Sequence, residues 1–204
     1  MKLLYQTHSP YARKVLVAAH ELGMADRLEV IHHETSPTRR NDEVFAFNPL
    51  GKVPVLIDTG LTLFDSNVIC EYLDHLDGRS RLIPTDAVAR YRTLQLQALA
   101  QGMADAGIAV RWEAERRPEA LRWPAMREGQ RAKIVAACDY LEAHMDEGLA
   151  TDLGAIAVAT TLSWIEFRHV HDFQAGRPRL AAWYARFCER PSMLATALSG
   201  DTLD

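Results

Sequence analysis

Near the start of the chain, short runs of apolar residues alternate with segments in which apolar residues recur at helical spacing. Lys2–Tyr5 is an apolar run that predicts a strand, and His8 and Ser9 end it. Pro10 suits the first turn of a helix, where its missing N–H is tolerated, and apolar residues follow at helical spacing up to Leu22. The same reasoning predicts strands at 28–32, 53–57 and 61–64 and helices at 41–47 and 65–76. The predicted order is βαβαββα, which is an α/β domain.

The pattern changes after Pro84, because helical spacing then continues with few interruptions. It predicts helices at about 86–116, 124–147, 153–170 and 179–190, with a short helix at 192–198. We therefore expect an α/β domain over residues 1–77, a linker over residues 78–85 and an all-α helical bundle over residues 86–204.

Composition narrows the class of protein. The chain has 204 residues, of which 48% are hydrophobic and 25% charged, values typical of soluble globular proteins. A net charge of −4 gives no electrostatic footprint for nucleic acid, and no apolar run reaches the length of a membrane span. Three widely spaced cysteines favour a reducing compartment, and His8, Arg13 and Lys14 interrupt any signal-peptide core. We expect a cytoplasmic protein without nucleic-acid or membrane partners.

Two features of the first domain each have a functional and a structural interpretation. Ser9-Pro10-Tyr11-Ala12 lies at a strand-to-helix junction, where free backbone N–H groups and the helix dipole favour an anion such as a thiolate. Alternatively, Ser9 is only a helix N-cap. A cis bond at Val53-Pro54 would leave the N–H and C=O of Val53 free to pair with an extended ligand. Otherwise Pro54 is an ordinary trans proline at a strand edge.

Two further features lie close to these in the sequence. Asp65 and Ser66 open a helix, where they can hold the ammonium and the carboxylate of an amino-acid head group; taken alone, they are helix caps. Lys52 immediately precedes Val53 and can reach a second carboxylate, unless it is simply a solvated lysine. Each feature alone is a weak signal, but their order and spacing within one domain are specific.

In this order and spacing, the sequence resembles the glutathione transferase superfamily. The resemblance rests on three stretches: Ser9–Lys14 (SPYARK), Asn48–Leu56 (NPLGKVPVL) and Phe64–Ile69 (FDSNVI). It implies a thioredoxin-like N-terminal domain, an all-helical C-terminal domain and a homodimer. It also implies an enzyme of detoxification that binds glutathione as its co-substrate, in thiolate form, and adds it to a small, electrophilic, apolar substrate.

The resemblance gives each binding residue a role. Val53, next to a cis Pro54, would pair its backbone with the cysteinyl unit of glutathione. Asp65 and Ser66 would bind the γ-glutamyl end. Lys52 would complete the glutathione site.

Ser9 is the predicted catalytic residue, because it lies where the serine or cysteine of related classes approaches the sulfur of glutathione. Tyr5, Thr7, Tyr11 and the backbone N–H groups remain alternative donors to the thiolate. Related glutaredoxins have two cysteines where this chain has Ser9 and Ala12, so dithiol–disulfide exchange is excluded here.

Other chemistry on the same scaffold stays open. A glutathione-dependent peroxidase, isomerase or dehalogenase would start from the same thiolate, and a non-catalytic interaction protein could keep the same fold.

No metal site is expected, because the pair in His169-Val170-His171 would point to different faces of a helix. Trp112, Trp164 and the segment 101–105 could line a pocket for the apolar substrate, although aromatic residues at helical spacing more often belong to a core. Asp152 can cap a helix, but Ala155 cannot return the second hydrogen bond of a capping box.

Overall fold

The computed structural model describes residues 1–144 and 151–200. Its first part contains β1 (Lys2–Tyr5), α1 (Pro10–Glu21), β2 (Glu29–His32), α2 (Asp42–Phe45), β3 (Val55–Asp58), β4 (Leu61–Leu63) and α3 (Ser66–Asp77). Its second part contains α4 (Ala87–Arg111), α5 (Pro124–His144), α6 (Leu153–Phe167), α7 (Pro178–Cys188) and α8 (Pro191–Ala195). The predicted fold class, an α/β thioredoxin-like domain followed by an all-α domain, is confirmed.

The four strands form one sheet in the order β2-β1-β3-β4. β1 and β2 are parallel, with Tyr5 opposite His32, whereas β3 is antiparallel to β1 and β4. This register brings the carboxyl ends of β1, β2 and β4 to the same edge of the sheet as the amino end of β3. We call this edge, formed by the residues that follow Tyr5, His32 and Leu63 and precede Val55, the site edge.

Several element boundaries differ from the predicted ones. β3 begins at Val55, because a proline at position 54 cannot donate to a strand ladder, so Val53 lies just before the strand. The long helix α4 ends at Arg111 and continues as a π-helical turn, Trp112–Arg116. α6 ends at Phe167, and His169 follows with a positive φ of 52°. The last predicted residues of α5, 145–147, lie outside the described residues.

The two parts of the chain share one hydrophobic core. α6 lies at its centre, with twelve buried residues between Leu153 and Ile165, and packs against both α1 and α4. Side chains from the first part, such as Leu3, Val15 and Leu73, belong to the same buried cluster. The relative positions of the sheet and the helical bundle are therefore fixed by a continuous apolar contact.

The segment between α3 and α4 is anchored rather than loose. The buried Asp74 accepts hydrogen bonds from the N–H groups of Leu82 and Ile83, at 2.9 and 3.0 Å, and both apolar side chains are buried. The carbonyl of Leu82 accepts a hydrogen bond from Leu153 N–H at 2.9 Å, which connects the segment to the start of α6. The exact domain boundaries at residues 77 and 86 stay a prediction.

The start of α6 shows how the missing half of the capping box is replaced. Asp152 caps the helix, with Oδ1 accepting from Ala155 N–H at 2.9 Å. Its other oxygen, Oδ2, accepts a 2.5 Å hydrogen bond from the Thr93 hydroxyl of α4. A contact between helices thus restrains Asp152 where the sequence lacks the reciprocal local contact.

Candidate functional site

Strand register brings together the predicted site residues, which are far apart in sequence. Ser9 follows β1, Val53 precedes β3 and Asp65 follows β4, so all three lie at the site edge. A side-chain hydrogen bond from Lys14 to Asn67, at 2.5 Å, holds the second turn of α1 beside the first turn of α3. Two helix N-termini therefore meet at the site edge, an arrangement that favours anionic ligands.

Ser9 is the N-cap of α1, and its hydroxyl is also available as a donor. Its Oγ accepts a hydrogen bond from Ala12 N–H at 3.2 Å. Within the described residues, this hydroxyl makes no other hydrogen bond. Because a hydroxyl carries two acceptor lone pairs and one donor, capping leaves the O–H free to point at a negatively charged sulfur. The structural and functional interpretations of Ser9 are thus compatible.

The three alternative hydroxyls have different surroundings. Tyr11 donates its hydroxyl hydrogen to Asp105 of α4, and burial together with this carboxylate raises the pKa of Tyr11. Burial also raises the pKa of Tyr5, against smaller opposing effects of Arg13 and of a backbone hydrogen bond from His8. Thr7 is exposed and lies 3.2 Å from His32 Nδ1. The raised pKa values make both tyrosines poor thiolate activators by proton transfer, and the Tyr11 proton is already engaged.

A short loop presents the backbone of Val53. The Val53–Pro54 peptide bond is cis, and within the described residues neither the N–H nor the C=O of Val53 is hydrogen-bonded. The buried Asn48 shapes this loop: its Nδ2 donates to Lys52 C=O at 2.8 Å, and its Oδ1 accepts from Leu50 N–H at 3.0 Å. Val53 is therefore held with both backbone groups free to pair with an extended ligand. The role of Asn48 was missed by sequence reasoning, although NPLG is a recognisable turn.

Asp65 and Ser66 form the start of α3. Asp65 is exposed and caps the helix, with Oδ1 accepting from Asn67 N–H at 2.9 Å. Ser66 is only 1% exposed, yet its hydroxyl has no hydrogen-bond partner within the described residues. The backbone N–H groups of Ser66 and Val68 also lack partners there. A buried hydroxyl beside free amides at a helix N-terminus is suited to a carboxylate, while the free oxygen of Asp65 suits an ammonium.

Two lysines flank the site differently. Lys14 is 3% exposed and bonded to Asn67; burial lowers its pKa, against the charges of Asp65 and Asp105 nearby. Sequence reasoning included Lys14 in a motif but gave it no role. Lys52, which sequence reasoning did select, is exposed and lacks a side-chain partner within the described residues. Lys14 is therefore a buried residue that holds α1 and α3 together beneath the site, whereas Lys52 lies at the solvent-exposed rim of the site.

The loop that follows β2 has no role predicted from the sequence, although it lies beside the turn that precedes Ser9. Residues 34–43 line a cavity of about 340 Å³ that includes Arg39 and Arg40. The Thr35 hydroxyl donates to Gln6 Oε1 at 2.6 Å, which joins this loop to the turn before Ser9. Arg40 is paired with Asp42 at 2.5 Å, while Arg39 is exposed. The lining of this cavity has two arginines and three carboxylates, so the loop adds polar groups, not net positive charge, beside the site edge.

Other candidates have structural explanations. Trp164 is 2% exposed and packs against Gly107, so it belongs to the core rather than to a pocket. Cys70 is fully buried, and burial raises its pKa to about 12. Among the residues that the structure describes, no group of three or more His, Cys, Asp or Glu side chains is placed to hold a metal ion. Nor does any helix in those parts of the chain have the length and apolar character needed to cross a bilayer.

Comparison with known proteins agrees with this architecture. The family model for the glutathione S-transferase N-terminal domain matches residues 8–76, and that for the C-terminal domain matches residues 86–186. The uncharacterized GST-like protein YibF of Escherichia coli K12 is 34% identical over 203 residues, covering 96% of this chain and 98% of YibF.

Two solved structures of a glutathione transferase family member from Pseudomonas fluorescens Pf-5 are also similar, each with 41% sequence identity. The one with bound glutathione has a TM-score of 0.93 and covers 98% of this chain and 99% of that one. The other, with bound S-(propanoic acid)-glutathione, has a TM-score of 0.88 and covers 98% and 100%. With both domain models matched in order along the chain, this protein belongs to the glutathione S-transferase family.

Proposed function

We propose that this protein is a glutathione transferase of the serine type, which binds glutathione as its thiolate at the site edge and adds it to a small, apolar electrophile. One observation carries the proposal. Three hydrogen-bonding groups that lack partners in residues 1–144 and 151–200 converge on one edge of the sheet: the backbone of Val53, the buried hydroxyl of Ser66 and the O–H of Ser9. Glutathione bound in a similar structure supports this ligand.

The free groups match the parts of glutathione. Val53 would pair with the cysteinyl unit through its N–H and C=O, as in strand addition. Ser66 and the first amides of α3 would hold the γ-glutamyl carboxylate, and Asp65 would hold the ammonium. Lys52 at the rim would reach the glycyl carboxylate, a role that Arg39 in the adjoining loop could share.

Ser9 would then lower the pKa of the glutathione thiol. Its hydroxyl donates to the sulfur while the N-terminus of α1 favours the negative charge. A thiol pKa lowered by about two units requires roughly 3 kcal/mol of preferential thiolate stabilisation, which a charge-assisted hydrogen bond and a helix terminus can supply together. The released proton goes to solvent, so Ser9 need not act as a base.

The electrophile would bind between the start of α1 and α4. Tyr11 and Asp105 meet there, on the side of Ser9 that faces the helical domain. The thiolate forms a carbon–sulfur bond, and the leaving group departs with its electron pair. S-(propanoic acid)-glutathione bound in a similar structure supports a site that accepts a substituent on the sulfur.

Calorimetric titration with glutathione, followed by a conjugation assay with an electrophilic aryl halide, tests the proposal. We expect binding and turnover, and Ser9→Ala should keep most binding but lose turnover. Absence of binding at millimolar glutathione would refute the proposal. Binding without conjugation would direct attention to peroxidase, isomerase or dehalogenase assays, since these reactions begin with the same thiolate.

We further propose a cytoplasmic homodimer. Exposed apolar side chains on α3 and α4, namely Val68, Val88 and Tyr91, lie near the ion pair between Glu71 and Arg90 and would be covered by a second copy. Size-exclusion chromatography with light scattering measures the oligomeric state directly. A monomer at micromolar concentration would contradict this part of the proposal.

A further inference from the structure

A second cavity lies where α1 packs against α6. It occupies about 270 Å³ between α1, α6, α7, α8 and the residues that follow α8. None of the predicted glutathione-binding residues lines it. Its apolar wall includes Phe167, Met193, Leu194 and Leu198, and its polar wall includes Arg13.

Arg13 is a buried cation that has no counter-ion among the residues that the structure describes. It is 3% exposed, and it donates to three neutral acceptors: Ser163 Oγ at 2.6 Å, Met193 C=O at 3.2 Å and Thr196 Oγ1 at 3.3 Å. Within residues 1–144 and 151–200, no carboxylate is paired with it. A buried charge normally has an ionic partner, because desolvation is costly, so this guanidinium is incompletely compensated.

Two N–H donors of Arg13 have no partner in the described part of the chain. A guanidinium has five donors, and the three bonds use one on Nε, one on Nη1 and one on Nη2. One free donor is therefore left on each terminal nitrogen. These two nitrogens are the pair that a carboxylate engages when it approaches the guanidinium end-on, with one oxygen on each.

The other charged group in the cavity wall is already partnered. Glu166 is exposed, its Oε1 accepts from Gln174 Nε2 at 2.8 Å, and its Oε2 accepts from the Tyr184 hydroxyl at 2.8 Å. Glu166 is not paired with Arg13 within the described residues. An anion on Arg13 would thus compensate a buried positive charge without displacing an existing ion pair.

We propose that this cavity binds a small monocarboxylate with a compact apolar body, such as an arylcarboxylate. The carboxylate is held by the two free donors of Arg13, and the apolar body packs against Phe167, Met193 and Leu198. Pockets for drug-sized ligands typically measure about 300–1,000 Å³, so this cavity suits a ligand of a single ring or a short chain.

Benzoate and its neutral analogue benzamide test the proposal, with Cys188 as the reporter. Cys188 lines the cavity and is half-buried, whereas Cys70 and Cys138 are buried elsewhere and serve as internal controls. Benzoate, but not benzamide, should slow the alkylation of Cys188 by iodoacetamide, measured by peptide mass spectrometry. Calorimetry should give the same benzoate affinity with and without saturating glutathione.

Two variants test separately the positive charge of Arg13 and the open volume of the cavity. Arg13→Gln should weaken benzoate binding about tenfold or more, because it removes the charge-assisted hydrogen bonds. If this buried substitution prevents folding, Ala197→Phe replaces it: residue 197 is exposed and lines the cavity, so the added ring should fill the space and abolish protection of Cys188. Ala195→Phe, also exposed but outside the cavity wall, is the matched control.

The proposal is overturned by any of four results. These are no benzoate binding, equal protection by benzoate and benzamide, competition between benzoate and glutathione, or binding that survives Ala197→Phe. Because none of these measurements depends on transferase activity, failure of the proposed function would leave this test intact.

Discussion

Ser66 and Ser9 both lie at the start of a helix, but their replacement by alanine should affect stability and glutathione affinity in opposite order. The hydroxyl of Ser66 is buried and unpaired within the described residues, whereas that of Ser9 accepts a capping hydrogen bond from Ala12 N–H. Ser66→Ala therefore removes an unsatisfied polar group, and Ser9→Ala removes a cap. The two variants form a matched pair.

The expected magnitudes follow from these contacts. An unsatisfied buried group costs about 1–3 kcal/mol, so Ser66→Ala should leave the free energy of unfolding unchanged or raise it by up to about 1 kcal/mol. Loss of the N-cap in Ser9→Ala should lower the free energy of unfolding by about 1 kcal/mol. For glutathione affinity the order of the two variants reverses, because the hydrogen bond that Ser66 would donate to the carboxylate contributes about 1.5–3 kcal/mol. Ser66→Ala should thus weaken binding by about 10- to 150-fold, and Ser9→Ala by only a few-fold.

Urea unfolding followed by circular dichroism, together with calorimetric titration of glutathione, measures both quantities on the same samples. The reasoning is refuted if Ser66→Ala destabilises the protein by more than about 1.5 kcal/mol while binding glutathione as the wild type does, since the hydroxyl would then have a structural partner.

Three further predictions concern the surrounding contacts. Tyr11→Phe removes the hydrogen bond to Asp105 and should lower the free energy of unfolding by about 1 kcal/mol, with turnover within a few-fold of wild type; a large loss of turnover would make Tyr11 the thiolate donor. Asn48→Ala removes both bonds that hold the Val53 loop and should weaken glutathione binding in calorimetry; unchanged affinity would show that the loop forms without them. Arg190 and Ser192 hold the pKa of Glu21 below its usual range, so its stabilisation is present above the unfolded pKa of about 4.3 and is lost as pH falls through the lower folded value. The difference in unfolding free energy between wild type and Glu21→Gln should therefore shrink in acid, and a difference independent of pH would contradict this.

The order of secondary structure could be predicted because its signals are local. Proline at position 10, the apolar spacing of α1 and the Asp65-Ser66 cap each act within one or two turns of chain. Element boundaries differ from the predicted ones where tertiary contacts decide them. The π-helical turn at Trp112–Arg116, for example, ends α4 where the buried Glu113 accepts hydrogen bonds from Arg117 and from Trp123 N–H.

In the candidate site, too, local motifs could be predicted from the sequence, whereas contacts between elements could not. The residues that present free groups lie in short motifs, so Ser9, Val53 and Ser66 could be selected from the sequence. The residues that hold those motifs in place act across elements. Lys14 reaches α3, and Asp105 reaches α1 from the other domain, so neither role has a signature in its own neighbourhood. Arg13 was part of the SPYARK motif, but its burial against Ser163 depends on how the two domains pack.

The proposed function requires the site edge to bind glutathione with its sulfur beside Ser9. A pH titration of thiolate ultraviolet absorbance in the protein–glutathione complex tests it most directly. The bound thiol should have a pKa well below the value of about 8.5 for a free thiol, and Ser9→Ala should raise this pKa towards the free value without abolishing binding. If the bound thiol titrates as it does in free glutathione, Ser9 does not stabilise the thiolate and the proposed mechanism is wrong.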